Sequence, residues 1–259
     1  MKKNILIMAI IVQGLFTQAQ ENIMYDFKIQ YDMRLNFYSY CTYNANLYFN
    51  KTQSLFQYQE TSIVKEITEE EINQKLNESD NVSINIRCKD TTTYYTTYDR
   101  DKNTILELIQ GFDKNEFYII GEPAPEVNWI LTKENQKIGN YECTKANCSF
   151  RGRNYYAWFT TEIQTSFGPL KLNGLPGLIL ELGDEAKEVM LFVKSVKKEN
   201  NSIPNISDNL KIISREDYLK LREEGKKKIE EMLSRISSKS ERGLTITAKS
   251  VGIKSIEMD

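Results

Sequence analysis

The chain has 259 residues, with 34 basic and 36 acidic side chains, a formal net charge of -2 and no histidine. Its charges are interspersed, which argues against a nucleic-acid groove or a polybasic membrane patch. Without imidazole, the usual proton relay of a Ser or Cys nucleophile is missing, and so is the commonest nitrogen ligand of zinc and copper. No metal, no cofactor and no nucleic-acid partner is expected, and the chain reads as a binding protein rather than an enzyme. The chemistry left open is carboxylate-only, such as glycoside hydrolysis by an Asp/Glu pair.

Lys2 and Lys3 precede an apolar stretch from Ile5 to Phe16 that closes on Thr17, Gln18 and Ala19. This is the pattern of a secretory signal peptide over residues 1–19, too short for the roughly 20 residues of a spanning helix. Cleavage after Ala19 leaves 32 basic against 36 acidic residues, a net charge of -4. The expectation is an exported protein, periplasmic or outer-membrane-associated, with no transmembrane segment after cleavage. Residues 20–259 are expected to form a single mainly-β domain.

Strand patterns follow in order. Residues 23–35 alternate imperfectly; 41–50 and 54–59, with a turn at Asn50 and Lys51, read as a hairpin. Residues 81–88 and 91–99 are rich in β-branched and aromatic residues, and the turn 99–103 leads into 104–110 and then 116–120. The gaps are too short for crossover helices, so a curved antiparallel sheet, a half-barrel-like meander, is predicted. Residues 68–79, opened by Thr68 and Glu71 as a capping box, read as a short acidic helix or insertion. Residues 197–209 read as a linker.

Ser214 and Asp217 cap a helical pattern in which Tyr218, Leu221, Ile229, Met232, Leu233 and Ile236 recur at helical spacing. That helix is expected to pack on the sheet, followed by a last strand from Gly243.

Cys41, Cys88, Cys143 and Cys148 make an even set, which in an oxidising compartment suggests disulfides. If residues 141–150 form one strand, Cys143 and Cys148 are roughly 16 Å apart, beyond the limit of about 7 Å for a bridge. Each would then need Cys41 or Cys88. A turn at 145–147 would instead permit the short bridge.

Two segments carry the candidate binding residues. In residues 151–169, alternation places Tyr156, Trp158 and Thr160 on one face of a strand and Tyr155, Ala157 and Phe159 on the other. Arg153 and Glu162 flank the strand and are candidates to pair. In residues 173–182, Pro176 and Gly177 fit the centre of a type II turn, with Gly177 at positive φ. Leu178, Leu180 and Leu182 then share one face of the strand that follows, with Ile179 and Glu181 on the other. Gly174 and Gly177 could also let the backbone approach a ligand closely.

The run Gly174 to Ile179 resembles the signature of the GLPGLI family, exported proteins of Gram-negative bacteria. The resemblance extends over residues 129–195 through Gly152, Arg153, Tyr156, Ala157, Trp158, Thr160, Glu162 and Ile163. Gln164 stands where proline is expected, and Leu172 where an aromatic residue is. The resemblance implies no established activity. It implies an envelope protein encoded near TonB-dependent receptors, with a fold similar to the half-barrel of periplasmic lipoprotein carriers. A receptor-associated accessory protein is therefore the first expectation. The second is a carrier of a hydrophobic, acyl or peptide ligand in a sheet–helix cavity, and the third a carboxylate-only glycosidase. The candidate binding set is Arg153, Tyr156, Trp158, Glu162, Gly174, Pro176 and Gly177.

Overall fold

The computed structural model describes residues 22–37, 40–62, 91–111, 116–204 and 211–239. They form twelve strands in one sheet that is not closed into a barrel, followed by one helix. The strands are β1 (Asn22–Asn36), β2 (Tyr40–Phe49), β3 (Gln53–Glu60), β4 (Thr93–Asp99), β5 (Thr104–Gln110) and β6 (Phe117–Pro123). They continue as β7 (Ile130–Ile138), β8 (Tyr141–Phe150), β9 (Arg153–Thr160), β10 (Leu178–Asp184), β11 (Val189–Pro204) and β12 (Ile212–Ser214). The helix, α1, spans Arg215–Lys239.

The sheet order is β12-β6-β5-β4-β3-β2-β1-β11-β10-β9-β8-β7. Two antiparallel meanders, β1 to β6 and β7 to β11, are thus joined through the long pair β1 and β11. Only β12 runs parallel to its neighbour, β6, so the sheet is mixed. The hairpin turns follow the sequence: the Asn50 side chain accepts from the backbone N–H groups of Thr52 and Gln53, and Asp99 accepts from that of Lys102.

The alternation in β1 puts Ile29, Tyr31, Met33 and Leu35 inward, all buried. Inward residues of β2, β3 and β8 to β11 complete one large core. The remainder of that core comes from residues 161–177, the connection between β9 and β10, which packs against the inward face of the sheet. Phe167, Leu170, Leu172 and Leu175 are all buried there. The outward residues Tyr48, Leu55, Tyr95 and Leu108, with Tyr25, form a second, smaller cluster.

Several expectations change. Residues 197–204, read as linker, belong to β11 and pair with the start of β1. The alternation expected after Leu178 fails because a β-bulge lies between Ile179 and Glu181. Leu178, Ile179, Leu180 and Leu182 are consequently all fully buried. Residues 141–150 do form one strand, β8, so Cys143 and Cys148 cannot bridge each other. No disulfide occurs among the described residues, and Cys88 lies outside them. The expected strand at 81–88, the acidic segment 68–79 and the strand from Gly243 lie outside them too.

The helix begins as expected. The Asp217 N–H donates to Ser214 Oγ at 3.1 Å, and the Ser214 hydroxyl donates to Asp217 Oδ2 at 2.8 Å. Its sheet contacts fall mainly on β6 and β12, at one edge. Tyr218 is half-buried and Leu221 exposed; the side chains of Ile229, Met232, Leu233 and Ile236 lie outside the description.

Candidate functional site

The motif that stands out in the sequence occupies the inward-folded connection. Gly174 has φ +102°, an added Cβ would meet only Trp129 at 3.9 Å, and its N–H donates to the Ser166 carbonyl at 2.9 Å. Gly177 does not have a positive φ, so the expected type II turn is not what requires it. A Cβ there would lie 2.0 Å from the Thr160 carbonyl oxygen. Gly177 is required because two backbone segments touch, where the end of β9 meets the start of β10.

Phe167 anchors the rest of the connection, with its ring 6.4 Å from Phe49 and 5.5 Å from Tyr98. Arg100 covers it with its guanidinium 4.5 Å from the ring centroid, and donates to Ser166 Oγ at 2.9 Å. Asn173 accepts at its side-chain oxygen from the Gly168 N–H and at its carbonyl from Trp129 Nε1, both at 2.9 Å. At the outer rim Pro176 is exposed and lines an open cleft of about 740 Å³. Phe27 and Phe49, stacked 4.8 Å apart, contribute its apolar wall. Asp26, Lys51, Arg100, Gln164, Thr165 and Ser166 contribute its polar lining.

Two buried ionic clusters hold the connection and the β10–β11 turn. Lys171 is 2% exposed, with Nζ 2.6 Å from Glu107 Oε2 and 2.7 Å from Glu122 Oε1. Arg151, in the β8–β9 turn, reaches the other oxygen of Glu122 at 2.6 Å. Burial pushes the Glu122 carboxyl up, but Arg151 and Lys171 outweigh it and the net shift is downward. In the second cluster Arg153 Nη1 lies 2.8 Å from Asp184 Oδ2 and 2.7 Å from Glu188 Oε2. Asp184 also accepts from the backbone N–H groups of Glu188 and Val189. Burial works against the Arg153 charge, yet the bonds to Glu188 and Asp184 prevail and its pKa is raised.

The expected pairing of Arg153 with Glu162 is therefore replaced. Arg153 points inward at the β10–β11 turn, whereas Glu162 is exposed and accepts from the Glu142 N–H at 2.9 Å. The candidate set divides three ways. Gly174, Pro176 and Gly177 lie in the inward-folded connection, Arg153 is a buried brace, and Tyr156 and Trp158 sit half-buried on the outward face of β9. The residues that sequence reasoning missed are Lys171, Glu107, Glu122, Arg151 and Arg100. One signal was present: Lys171 is a lone charge between Leu170 and Leu172, and Phe167 and Pro169 precede it.

Fold and site together define a mostly-β protein: an open twelve-stranded sheet whose inward face is packed by the connection between β9 and β10. Residues 151–181, which hold Arg153, the outward aromatics, Lys171 and the glycines, match the model of a family described as a protein of unknown function (Porph_ging). No curated protein matches the chain. Among solved structures, the chain is similar to PNGF-II in two crystal forms, P21 and C2, at 16% identity and TM-scores of 0.48 and 0.47. The matches cover 75% of this chain and 32% of PNGF-II, so the chain spans about a third of that protein's length.

Proposed function

We propose that the protein is an exported, non-enzymatic binding protein of the bacterial envelope that takes part of a partner into the cleft beside Pro176. The partner class that the family resemblance favours is an outer-membrane receptor of the TonB-dependent type. The observation that carries the reading is the cleft itself. It is open, of about 740 Å³, and combines the stacked Phe27–Phe49 wall with Lys51, Arg100 and Asp26, within the usual range of roughly 300 to 1,000 Å³ for binding sites.

The carrier reading has less support, because the helix meets the sheet mainly at the β6 and β12 edge and the inward face is packed by Phe167, Leu170, Leu172 and Leu175. A carboxylate-pair hydrolase has less support for a similar reason. Glu107 with Glu122 and Asp184 with Glu188 are each drawn onto a buried cation, and such engaged carboxylates are poor general acids.

The test is a pull-down of the tagged full-length protein from the envelope of its own organism, with wild type beside Lys51→Glu and Gln164→Trp. Both side chains are exposed and line the cleft. A stoichiometric outer-membrane protein held by wild type and lost from both variants is expected. Capture undiminished in both variants, or a co-purifying lipid with no protein, would refute the cleft as the partner site.

A further inference from the structure

The outward face of β8 to β11 carries a row of side chains that the cleft does not use. In register across three adjacent strands stand Trp158 on β9, Glu181 on β10 and Phe192 on β11. All three are half-buried. Each ring already carries a cation on the side away from Glu181: Lys145 Nζ lies 5.8 Å from the Trp158 ring, and the Arg34 guanidinium lies 5.0 Å from the Phe192 ring. Each of those cations has its own carboxylate, Glu134 for Lys145 and Asp32 for Arg34, both at 3.0 Å. Glu181 is the odd member. Among the described residues it makes no ion pair, and its polar contact is the Tyr156 hydroxyl, which donates at 3.4 Å.

We propose that Glu181, between Trp158 and Phe192, is a docking site for the guanidinium of an arginine presented by a partner protein. The charge pattern argues for a cation: Lys145 and Arg34 each lie against a ring and beside a carboxylate of their own, and of Glu134, Asp32 and Glu181 only Glu181 has no counter-charge among the described residues. The spacing argues for a planar one. Strands 4.7 to 4.9 Å apart put the Trp158 and Phe192 Cα atoms about 10 Å apart, room for a flat group between two rings. Guanidinium stacks on aromatic faces and meets a carboxylate through a fork of N–H donors, whereas ammonium is a strongly hydrated point charge. Trp158, Glu181 and Phe192 are part-exposed on one sheet face, which suits a side chain delivered by a macromolecule. Tyr156 frames the site from the next row. Its ring crosses β10 over Gly183, where a Cβ would lie 2.7 Å from its hydroxyl oxygen.

The site lies on the face opposite the cleft, so the two stand or fall separately. The test titrates the full chain with a capped Gly-Arg-Gly peptide and with the same peptide carrying citrulline or lysine, followed by tryptophan fluorescence and by NMR of the indole N–H groups. Binding of roughly millimolar affinity is expected for the arginine peptide, with citrulline and lysine each about tenfold weaker. The Trp158 indole should shift while that of Trp129, bonded to Asn173 inside the fold, stays still. Glu181→Gln should reduce arginine binding about tenfold with an unchanged circular dichroism spectrum, and Lys51→Glu should leave it untouched. Equal binding of the citrulline or lysine peptide, full binding by Glu181→Gln, or no saturable Trp158 shift would each overturn the assignment.

Discussion

Tyr31 donates its hydroxyl hydrogen to the carbonyl of Ile179 at 2.7 Å, linking β1 to β10 past the intervening β11. The acceptor lies at the bulge, where the ladder between β9 and β10 skips a residue. Both groups are buried, so the bond satisfies a carbonyl that water does not reach. Tyr31→Phe keeps the ring against Phe56 and removes only the donor. A loss of about 1 to 3 kcal/mol is expected in urea unfolding. An unchanged midpoint would mean that the bulge carbonyl finds another donor.

The two motif glycines separate a strained backbone from a close contact. At Gly174, φ is +102° and the nearest atom to an added Cβ is 3.9 Å away. Gly174→Ala should therefore cost only the conformational penalty, about 1 to 3 kcal/mol. At Gly177 the Cβ would sit 2.0 Å from the Thr160 oxygen, with no flexible side chain to move aside. Gly177→Ala should be the more damaging, by more than about 2 kcal/mol over Gly174→Ala. Thermal melts of the pair decide this, and the reverse order would place the constraint at Gly174.

These glycines also show how far the sequence could be read. Short strands with turn residues between them, the β8 strand over 141–150 and the Ser214–Asp217 cap were legible because each is a local signal: period two, a turn, an N-cap. What the sequence left hidden is nonlocal. Gly177 read as a turn residue because its neighbour Pro176 fits a turn, whereas the cause is a carbonyl on another strand. Arg153 had Glu162 nine positions away as a visible partner, but its ligands are Asp184 and Glu188, brought close only when β9 and β10 pair. Leu178, Leu180 and Leu182 were assigned to one face and Ile179 to the other, and a bulge defeats any count by twos. For the outward aromatics alternation was enough: Tyr156 and Trp158 do share a face, opposite Tyr155, Ala157 and Phe159.

Lys171 fastens the inward connection to β5 and β6, so its removal should release that connection. Lys171→Met replaces the ammonium with an apolar group of similar length and leaves Glu107 and Glu122 facing each other. Breaking a buried pair from one side costs about 3 to 5 kcal/mol, and Glu122→Gln in the same background should restore part of it. Acid should act on the same cluster. The Glu122 carboxyl is lowered from 4.5 in the folded state; its stabilisation is present above that unfolded value and fades as pH falls through the lower folded one. Wild type should lose stability as pH drops below about 4.5, and Lys171→Met should show a weaker acid dependence, measured by urea unfolding across that range. Equal acid dependence in both would place the acid-sensitive groups elsewhere.

Alkaline pH should unfold the protein through buried phenols and two buried thiols, Cys143 and Cys148. Burial pushes Tyr25 and Tyr95 from 10.0 up to about 12, Cys148 from 9.0 up to about 12, and Tyr31 higher still. Each folded-state value is raised, so each group's contribution is fully present below its unfolded value and is lost as pH rises towards the folded one. The loss is about 1.4 kcal/mol per pH unit for each titrating group. Cys148 should act from about pH 9 together with Cys143, whose thiol is also pushed up by burial, and the three tyrosines should join them above about pH 10. These groups together would remove a typical stability of about 5 to 15 kcal/mol by roughly pH 11 to 12, so unfolding followed by circular dichroism should be steep there and nearly flat below pH 9. Cys143→Ala and Cys148→Ala combined should move the onset up by about one pH unit, because the two thiols start near 9 and the tyrosines near 10. Phenolate absorbance should rise for Tyr25, Tyr31 and Tyr95 only as the fold is lost. If those three ionised near pH 10 with the spectrum of the folded sheet intact, the packing that buries them would be wrong.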